Sequence, residues 1–471
     1  MKSMTAEQIA HAVGGRAVAA PERAFTGVFT DTRKPVAGGL FVALVGERFD
    51  AHAFLADAVA AGAGGVLVSD AAAATSLPAD VAVVVTGDTL AALQALAAAV
   101  RAAHPAKIAA ITGSAGKTTV KDMVAAALRE SGAVTRTPGN WNNHIGLPLT
   151  LLSTTGDEDF LVLELGMSAP GEIAALTALA RPHVGLVTLA AAAHLEFFAS
   201  VDGIADAKAE LYAALAPDAV AVANADDARM FARATALHPR PLVTFGTLAA
   251  ADVRVAGATV TPDGVRAELV VHGGPVRVDV PALGAHNALN AAAALAVTTA
   301  LGVDPEAAAA SLARHFAPSP HRLALVAAES GLTVLDDCYN ANPASTRAAL
   351  DTLSAVAPRG AVLGAVLGTM RELGPDAAEL HQRVGAHAAV VGVTWLAATG
   401  EHAADLAEGA RRAGIPTILT ADDAAGLAAA VRDFAADGRW LLLKGSRGER
   451  LERLLDAVSP ATSTPSAEVK G

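Results

Sequence analysis

Lys107-Ile108-Ala109-Ala110-Ile111-Thr112-Gly113-Ser114-Ala115-Gly116-Lys117-Thr118-Thr119 is an apolar run, a glycine-rich turn and a Lys-Thr pair in immediate succession. The run ending at Ile111 suits a buried strand. After the turn, Val120, Met123, Val124, Ala127 and Leu128 recur at the spacing of one helix face, and Ser131-Gly132 supplies a stop. Strand, turn and helix in that order can hold phosphate. Glycines let backbone N–H groups turn inward, and the helix N-terminus adds a favourable dipole. Lys117 then neutralises the outer phosphate oxygens of a nucleotide, and the Thr118 hydroxyl ligates Mg²⁺. The spacing departs from the usual loop, because Ile111 stands where the first glycine belongs. The bland alternative is a glycine-rich βα turn with an incidental lysine.

Outward from this stretch, beginning near residue 105, apolar strand, glycine turn and helix alternate, which predicts an α/β fold with a parallel sheet covered by helices on both faces. The run Phe160-Leu161-Val162-Leu163-Glu164 ends on a carboxylate. An unpaired buried carboxylate is costly, so Glu164 needs a cation or strong donors. Ligands collect at the carboxyl ends of such strands, so Glu164 reads as a Mg²⁺ ligand, a water-positioning group, or a loop cap. Residues 184–189 read as the next strand, with His194 on the loop after it, as a metal ligand or a structural histidine. Lys208 follows Asp206 on a helix expected over 204–215 and, taken alone, reads as a solvated lysine.

Four polar clusters need a reason. Asn142 and Asn143 lie in Gly139-Asn140-Trp141-Asn142-Asn143-His144-Ile145-Gly146, a binding loop or a purely structural turn. Asn287 and Asn290 open an alanine-rich helix, where their amides meet a base edge or simply cap. Asp336-Asp337-Cys338-Tyr339-Asn340-Ala341-Asn342-Pro343 follows a strand at 332–335 and reads as a binding loop. Lys444-Gly445-Ser446-Arg447-Gly448 follows another strand, and its cations suit a carboxylate or phosphate. Nearer the start, Asp31-Thr32-Arg33-Lys34 and Gly46-Glu47-Arg48-Phe49-Asp50 suit a small anionic ligand, or are exposed loop charges.

The chain has 471 residues, too many for one ordinary core, so three domains are expected. Residues 1–104 mix short strands and helices. Residues 105–318 hold the nucleotide loop and end at Ala-Pro-Ser-Pro, and 319–458 read as a second, Rossmann-like sheet. The Ser/Thr/Pro-rich 459–471 read as a disordered tail. The formal charge is −12, no long basic stripe points to a duplex partner, and 4% aromatic residues argue against a base-stacking surface. One cysteine, Cys338, excludes an intramolecular disulfide framework and fits a reducing compartment. No apolar stretch reaches about 18 residues, so no membrane span is expected, and the cytoplasm is the expected location.

Together these segments resemble the Mur ligase family. The stretch 112–119 is similar to the family's short nucleotide loop, which accounts for Ile111. The stretch 336–343, with Lys444-Gly445-Ser446-Arg447, is similar to the pattern of the branch that adds D-alanyl-D-alanine. The resemblance implies an ATP- and Mg²⁺-dependent amide ligase with a small N-terminal α/β domain for the uridine nucleotide, and a monomer. Its implied substrates are a UDP-N-acetylmuramoyl-tripeptide and D-alanyl-D-alanine, joined through an acyl phosphate. Residue by residue, it implies that Gly113, Ser114, Ala115, Gly116, Lys117, Thr118 and Thr119 hold the phosphates. Asn287, Arg322 and Asp337 would hold adenine, phosphate and ribose. Thr118, Glu164, His194 and a carbamylated Lys208 would hold the metal, Lys117, Glu164, His194 and Lys208 forming the catalytic set. Thr32, Arg33, Asp50 and His52 would hold the uridine part, and Asn142 and Asn143 the reacting acyl group. Tyr339, Asn340, Asn342, Lys444, Ser446 and Arg447 would line the substrate side. Thr32 and Cys338 replace serines of the pattern, Leu189 an asparagine and Phe197 a glycine. Two rival readings stay open: a relative that adds a single amino acid, and a non-catalytic nucleotide switch.

Overall fold

The computed structural model describes residues 1–46, 49–192, 196–198, 200–237, 241–261 and 263–458. The expected tail at 459–471 lies outside them. Three large sheets, of five, nine and six strands, follow one another along the chain.

The first sheet orders Arg16–Ala19, Ala82–Val85, Gly65–Val68, Leu40–Val42 and Val28–Phe29. The helix before it, Ala6–Ala12, starts at a reciprocal cap in which Thr5 Oγ1 accepts from Gln8 N and Gln8 Oε1 accepts from Thr5 N.

The nine-stranded sheet orders Val134–Arg136, Phe160–Glu164, Lys107–Thr112, Val184–Val187, Val220–Asn224, Leu242–Gly246, Val253–Thr261, Gly264–Val271 and Gly274–Val280. Its first seven strands are parallel, as the alternation of strand and helix predicts. Every residue of Phe160–Glu164 is buried, because helices cover both faces. Successive side chains of Lys107–Thr112 serve two cores. Ile108 and Ala110 pack with Leu176 and Leu211 on one face, and Ala109 and Ile111 with Val124 and Leu295 on the other. The last two strands depart from the expected parallel sheet and form an antiparallel meander. Val276, Val278 and Val280 face inward and alternate with exposed Arg277 and Asp279, the pattern of a sheet edge wet on one side.

The third sheet orders Ala324–Ala327, Thr333–Asp336, Arg439–Lys444, Val362–Gly368, Val393–Thr399 and Thr417–Ala421, parallel except for its first edge strand. Within it, His381 is fully buried on helix Ala377–Val390 and stacks on His402 at 4.4 Å. Its Nε2 accepts from Met370 N at 2.8 Å. Burial lowers its pKa from 6.5 to about 4, against partial support from the Ala377 carbonyl, Asp405 and Glu401. The folded value lies below the unfolded one, so the unfolded chain takes the proton first as pH falls. Stability present above about pH 6.5 is therefore lost between there and about pH 4, by roughly 3 kcal/mol from this group. Urea unfolding across that range checks this, and His381→Gln should flatten the acid limb.

Candidate active site

Strand Lys107–Thr112 pairs with Phe160–Glu164 so that Ile111 sits opposite Glu164. The glycine loop and the Glu164 carboxylate therefore leave the sheet side by side at its carboxyl edge. Gly113 and Gly116 hold φ of 146° and 81°, and helix Lys117–Leu128 starts directly behind them. A Cβ on Gly113 would come within 1.8 Å of Thr188 Oγ1. That hydroxyl donates to Ala115 O at 2.6 Å, and Lys117 Nζ donates to Gly113 O at 2.6 Å, so the loop is braced from both sides. We expect Gly113→Ala to cost about 3 kcal/mol, through the forbidden φ and the displaced threonine, read as a lower urea midpoint.

Glu164 is 3% exposed. Its Oε1 accepts from Asn142 Nδ2 at 2.9 Å, whereas Oε2 is buried with no hydrogen-bond partner among the described residues. A half-satisfied carboxylate beside a lysine suits a hard cation with oxygen ligands. Burial lowers the pKa of Lys117, Glu164 opposes that, and the Arg322 charge adds to it.

Lys208 corrects the reading from its immediate neighbours: it is 1% exposed, not solvated. Ile204, Lys208 and Leu211 share the buried stripe of helix Val201–Ala214, while Asp206 points outward to Arg233. Burial, then the charge of Lys117, pushes its pKa well below the ordinary lysine value. It makes no hydrogen bond or ion pair among the described residues. His194 lies outside the described residues.

These groups open into a cavity of about 750 Å³ between the second and third sheets. The loop from Ser114 to Thr119, Asn142, Asn143, Glu164, Lys208 and Asn287 line one wall, and Arg322, Asp337, Tyr339, Asn340, Asn342, Lys444, Ser446 and Arg447 line the other. Arg322 Nη2 donates to Thr118 Oγ1 at 3.1 Å, and its guanidinium lies 4.4 Å from the centre of the Tyr339 ring. Asn342 caps helix Pro343–Val356 and reaches Ser114 O at 3.5 Å. Lys444 is buried, its ammonium paired with Asp337 and donating to Asn340 O at 3.1 Å. Asn287 is fixed by bonds to Leu283 O and Asn290 Nδ2. Asn143 Oδ1 accepts from Ile145 N and Gly146 N, so its side chain also serves the turn.

The structure keeps the N-terminal candidates apart from this cavity. Arg33 is exposed and bound to Asp31 at 2.8 Å, and Thr32 lies in the same turn. His52 Nδ1 meets Asp50 Oδ1 at 2.6 Å, and its Nε2 accepts from Ser69 N. Gly113 sits behind the loop rather than on the wall. Arg371 and Glu372 also line the cavity and were missed by sequence reasoning. They follow strand Val362–Gly368 as Glu164 ends its own strand, so the same strand-end logic reaches them. Arg371 N donates to Ser446 Oγ at 3.0 Å.

The Mur ligase middle domain matches residues 111–298, and the Mur ligase, glutamate ligase domain matches residues 321–447. The chain is 38% identical over 463 residues to the UDP-N-acetylmuramoyl-tripeptide--D-alanyl-D-alanine ligase of Escherichia coli strain K12, covering 97% of this chain and 99% of that one. The Bacillus subtilis strain 168 ligase of the same name is 36% identical over 430 residues, 91% of this chain and 92% of that one. Among solved structures, MurF from Acinetobacter baumannii superposes with a TM-score of 0.87 at 30% identity, over 98% of this chain and 100% of that one. MurF ligase from Thermotoga maritima in complex with ADP gives 0.78 at 28% identity, over 92% and 96%.

Proposed function

The chain belongs to the Mur ligase family, and from that premise we propose what each part of its cavity does in the reaction. It is an ATP-dependent ligase that joins D-alanyl-D-alanine to UDP-N-acetylmuramoyl-tripeptide in peptidoglycan synthesis. The observation that carries the mechanism is the braced glycine loop with Lys117 beside a half-satisfied Glu164.

The terminal carboxylate of the tripeptide attacks the γ-phosphorus of ATP. A carboxylate–phosphorus bond forms as the bond to the β-phosphate oxygen breaks, leaving an acyl phosphate and ADP. The free amine of the dipeptide then attacks the acyl carbon, loses a proton, and expels phosphate. The first step brings two anions together, so alignment and charge neutralisation decide its rate. Lys117 and the N–H groups of the loop meet the β- and γ-oxygens. Arg322 swings from Thr118 to the phosphates, Asp337 takes the ribose, and Asn287 meets the adenine. Asn142 and Asn143 face the reacting acyl group.

The orphaned Oε2 of Glu164 and the Thr118 hydroxyl fit Mg²⁺, whose charge would offset that of the phosphates; His194 completes the set. Lys208, whose pKa burial holds well below the ordinary lysine value, would take up CO₂ with loss of a proton to become a carbamate, a further oxygen ligand for the metal. Thr32, Arg33, Asp50 and His52 take the uridine nucleotide. Lys444, Ser446 and Arg447, with Tyr339, Asn340 and Asn342, flank the dipeptide. That one chain lines the described cavity supports reading the enzyme as a monomer, and we assign it to the cytoplasm. No helix is long and apolar enough to cross a membrane, among the described residues.

The test is incubation with ATP, UDP-muramoyl tripeptide and a panel of amines, followed by product masses. ADP release should require both co-substrates, and the new mass should be the tripeptide plus D-alanyl-D-alanine. A single added amino acid would assign a sister activity, and ATP turnover indifferent to both partners would leave only a nucleotide switch.

A further inference from the structure

We propose that His321, Asp336 and Cys338 form a binding site for a thiophilic divalent cation, Zn²⁺ foremost, behind the loops that meet the nucleotide. The three donor atoms lie within 4.8 Å of one another. Asp336 ends strand Thr333–Asp336 and is 3% exposed, and Cys338 is 1% exposed. His321 Nδ1 is 2.7 Å from Asp336 Oδ2, Cys338 Sγ is 2.8 Å from Asp336 Oδ1, and sulfur and imidazole are 3.7 Å apart.

That last distance already matches the edge of a zinc tetrahedron, which is about 3.6 Å for one sulfur and one nitrogen ligand at the usual bond lengths. The imidazole–carboxylate pair needs to open by only about 0.6 Å to reach the nitrogen–oxygen edge. His321 holds a φ of 60°, a conformation that non-glycine residues rarely adopt, and the turn delivers its ring to the carboxylate.

Glu452, whose Oε1 pairs with Arg447 at 3.1 Å, lies outside the three-donor cluster, and a water or a shift of its other oxygen would complete the set. Glu452 acts electrostatically on Cys338, and its Oε2 is buried with no hydrogen-bond partner among the described residues. Burial, then Asp336, Glu452 and Asp337, hold the Cys338 thiol protonated well above its ordinary range. A thiol crowded by carboxylates gains most from a cation. On binding, the sulfur–hydrogen bond breaks, the proton goes to solvent and a sulfur–metal bond forms, so affinity rises with pH.

Donor chemistry separates this site from the one at Glu164. A thiolate beside an imidazole selects a borderline-soft metal, whereas the oxygen-rich set at Glu164 and Thr118 selects Mg²⁺. The softness of the site rests on Cys338, which is 1% exposed. Arg322 follows His321 and Asp337 lies between the other two donors, so a bound cation staples together the two loops that hold the nucleotide.

Cobalt titration of the full chain in excess Mg²⁺ tests this, because Cys338 is the only cysteine. One equivalent of Co²⁺ should produce a sulfur-to-cobalt charge-transfer band that Zn²⁺ abolishes, and Zn²⁺ should raise the thermal midpoint. Cys338→Ser should lose the band and bind Zn²⁺ more weakly, and His321→Gln should weaken binding by about 10–100-fold with the band retained. If Cys338→Ser does not fold, wild type and His321→Gln carry the test. Absence of the band in wild type, or equal Zn²⁺ affinity in the variants, overturns the site.

Discussion

Lys117→Ala is expected to abolish ADP release, lowering turnover by at least about a thousandfold, the scale of removing a preorganised charge from a developing anion. The lysine sits on the first residue of its helix and donates to Gly113 O, so it is aimed before nucleotide arrives. Its removal takes away the cation that lets carboxylate approach phosphate and one of the loop's two braces, leaving that from Thr188. The fold should tolerate the change, since a buried ammonium that costs desolvation is lost with it. Single-turnover release of ADP at saturating ATP and tripeptide gives the answer. Near-normal turnover in a folded variant would end the assignment of the loop.

Glu164→Gln should lower turnover by about a hundredfold or more, again a loss of electrostatic stabilisation. Glutamine keeps the shape and can still accept from Asn142, so only the charge facing the orphaned side of the carboxylate is removed. Raised Mg²⁺ should recover part of the rate, and thermal stability should hold or rise. Activity that falls without any change in its Mg²⁺ dependence would make Glu164 a structural acid.

The parallel part of the middle sheet and its nucleotide loop were legible because buried strands and a glycine turn leave a local record. Ile108 to Ile111 are apolar without a break, and the loop needs glycine wherever φ is positive. The meander over residues 253–280 leaves its own record in the alternation of Val276, Val278 and Val280 with polar residues, a period that strand–helix alternation does not contain. Lys208 shows how spacing can outweigh polarity, for it is buried although charged. Four residues after Ile204 and three before Leu211, it lies on the apolar stripe. The pairing of Lys444 with Asp337 spans 107 positions and two strand ends, and no local pattern reports it. Asn342 shows the same limit: its cap of the following helix is local, while its reach to Ser114 is a product of the fold.

Among the described residues, the cavity's two walls meet at the phosphate loop through two thin hydrogen bonds, Arg322 to Thr118 and Asn342 to Ser114, with Ser319 to Asp122 and Glu196 N to Glu372 O beside them. At about 1 kcal/mol each, the two bonds to the loop alone tilt the balance toward contact by roughly thirtyfold. The chain thus behaves as a clasp resting on its catch. An arriving triphosphate loosens it by drawing the Arg322 guanidinium away from Thr118, and the dipeptide, on reaching Asn342, releases the second hold.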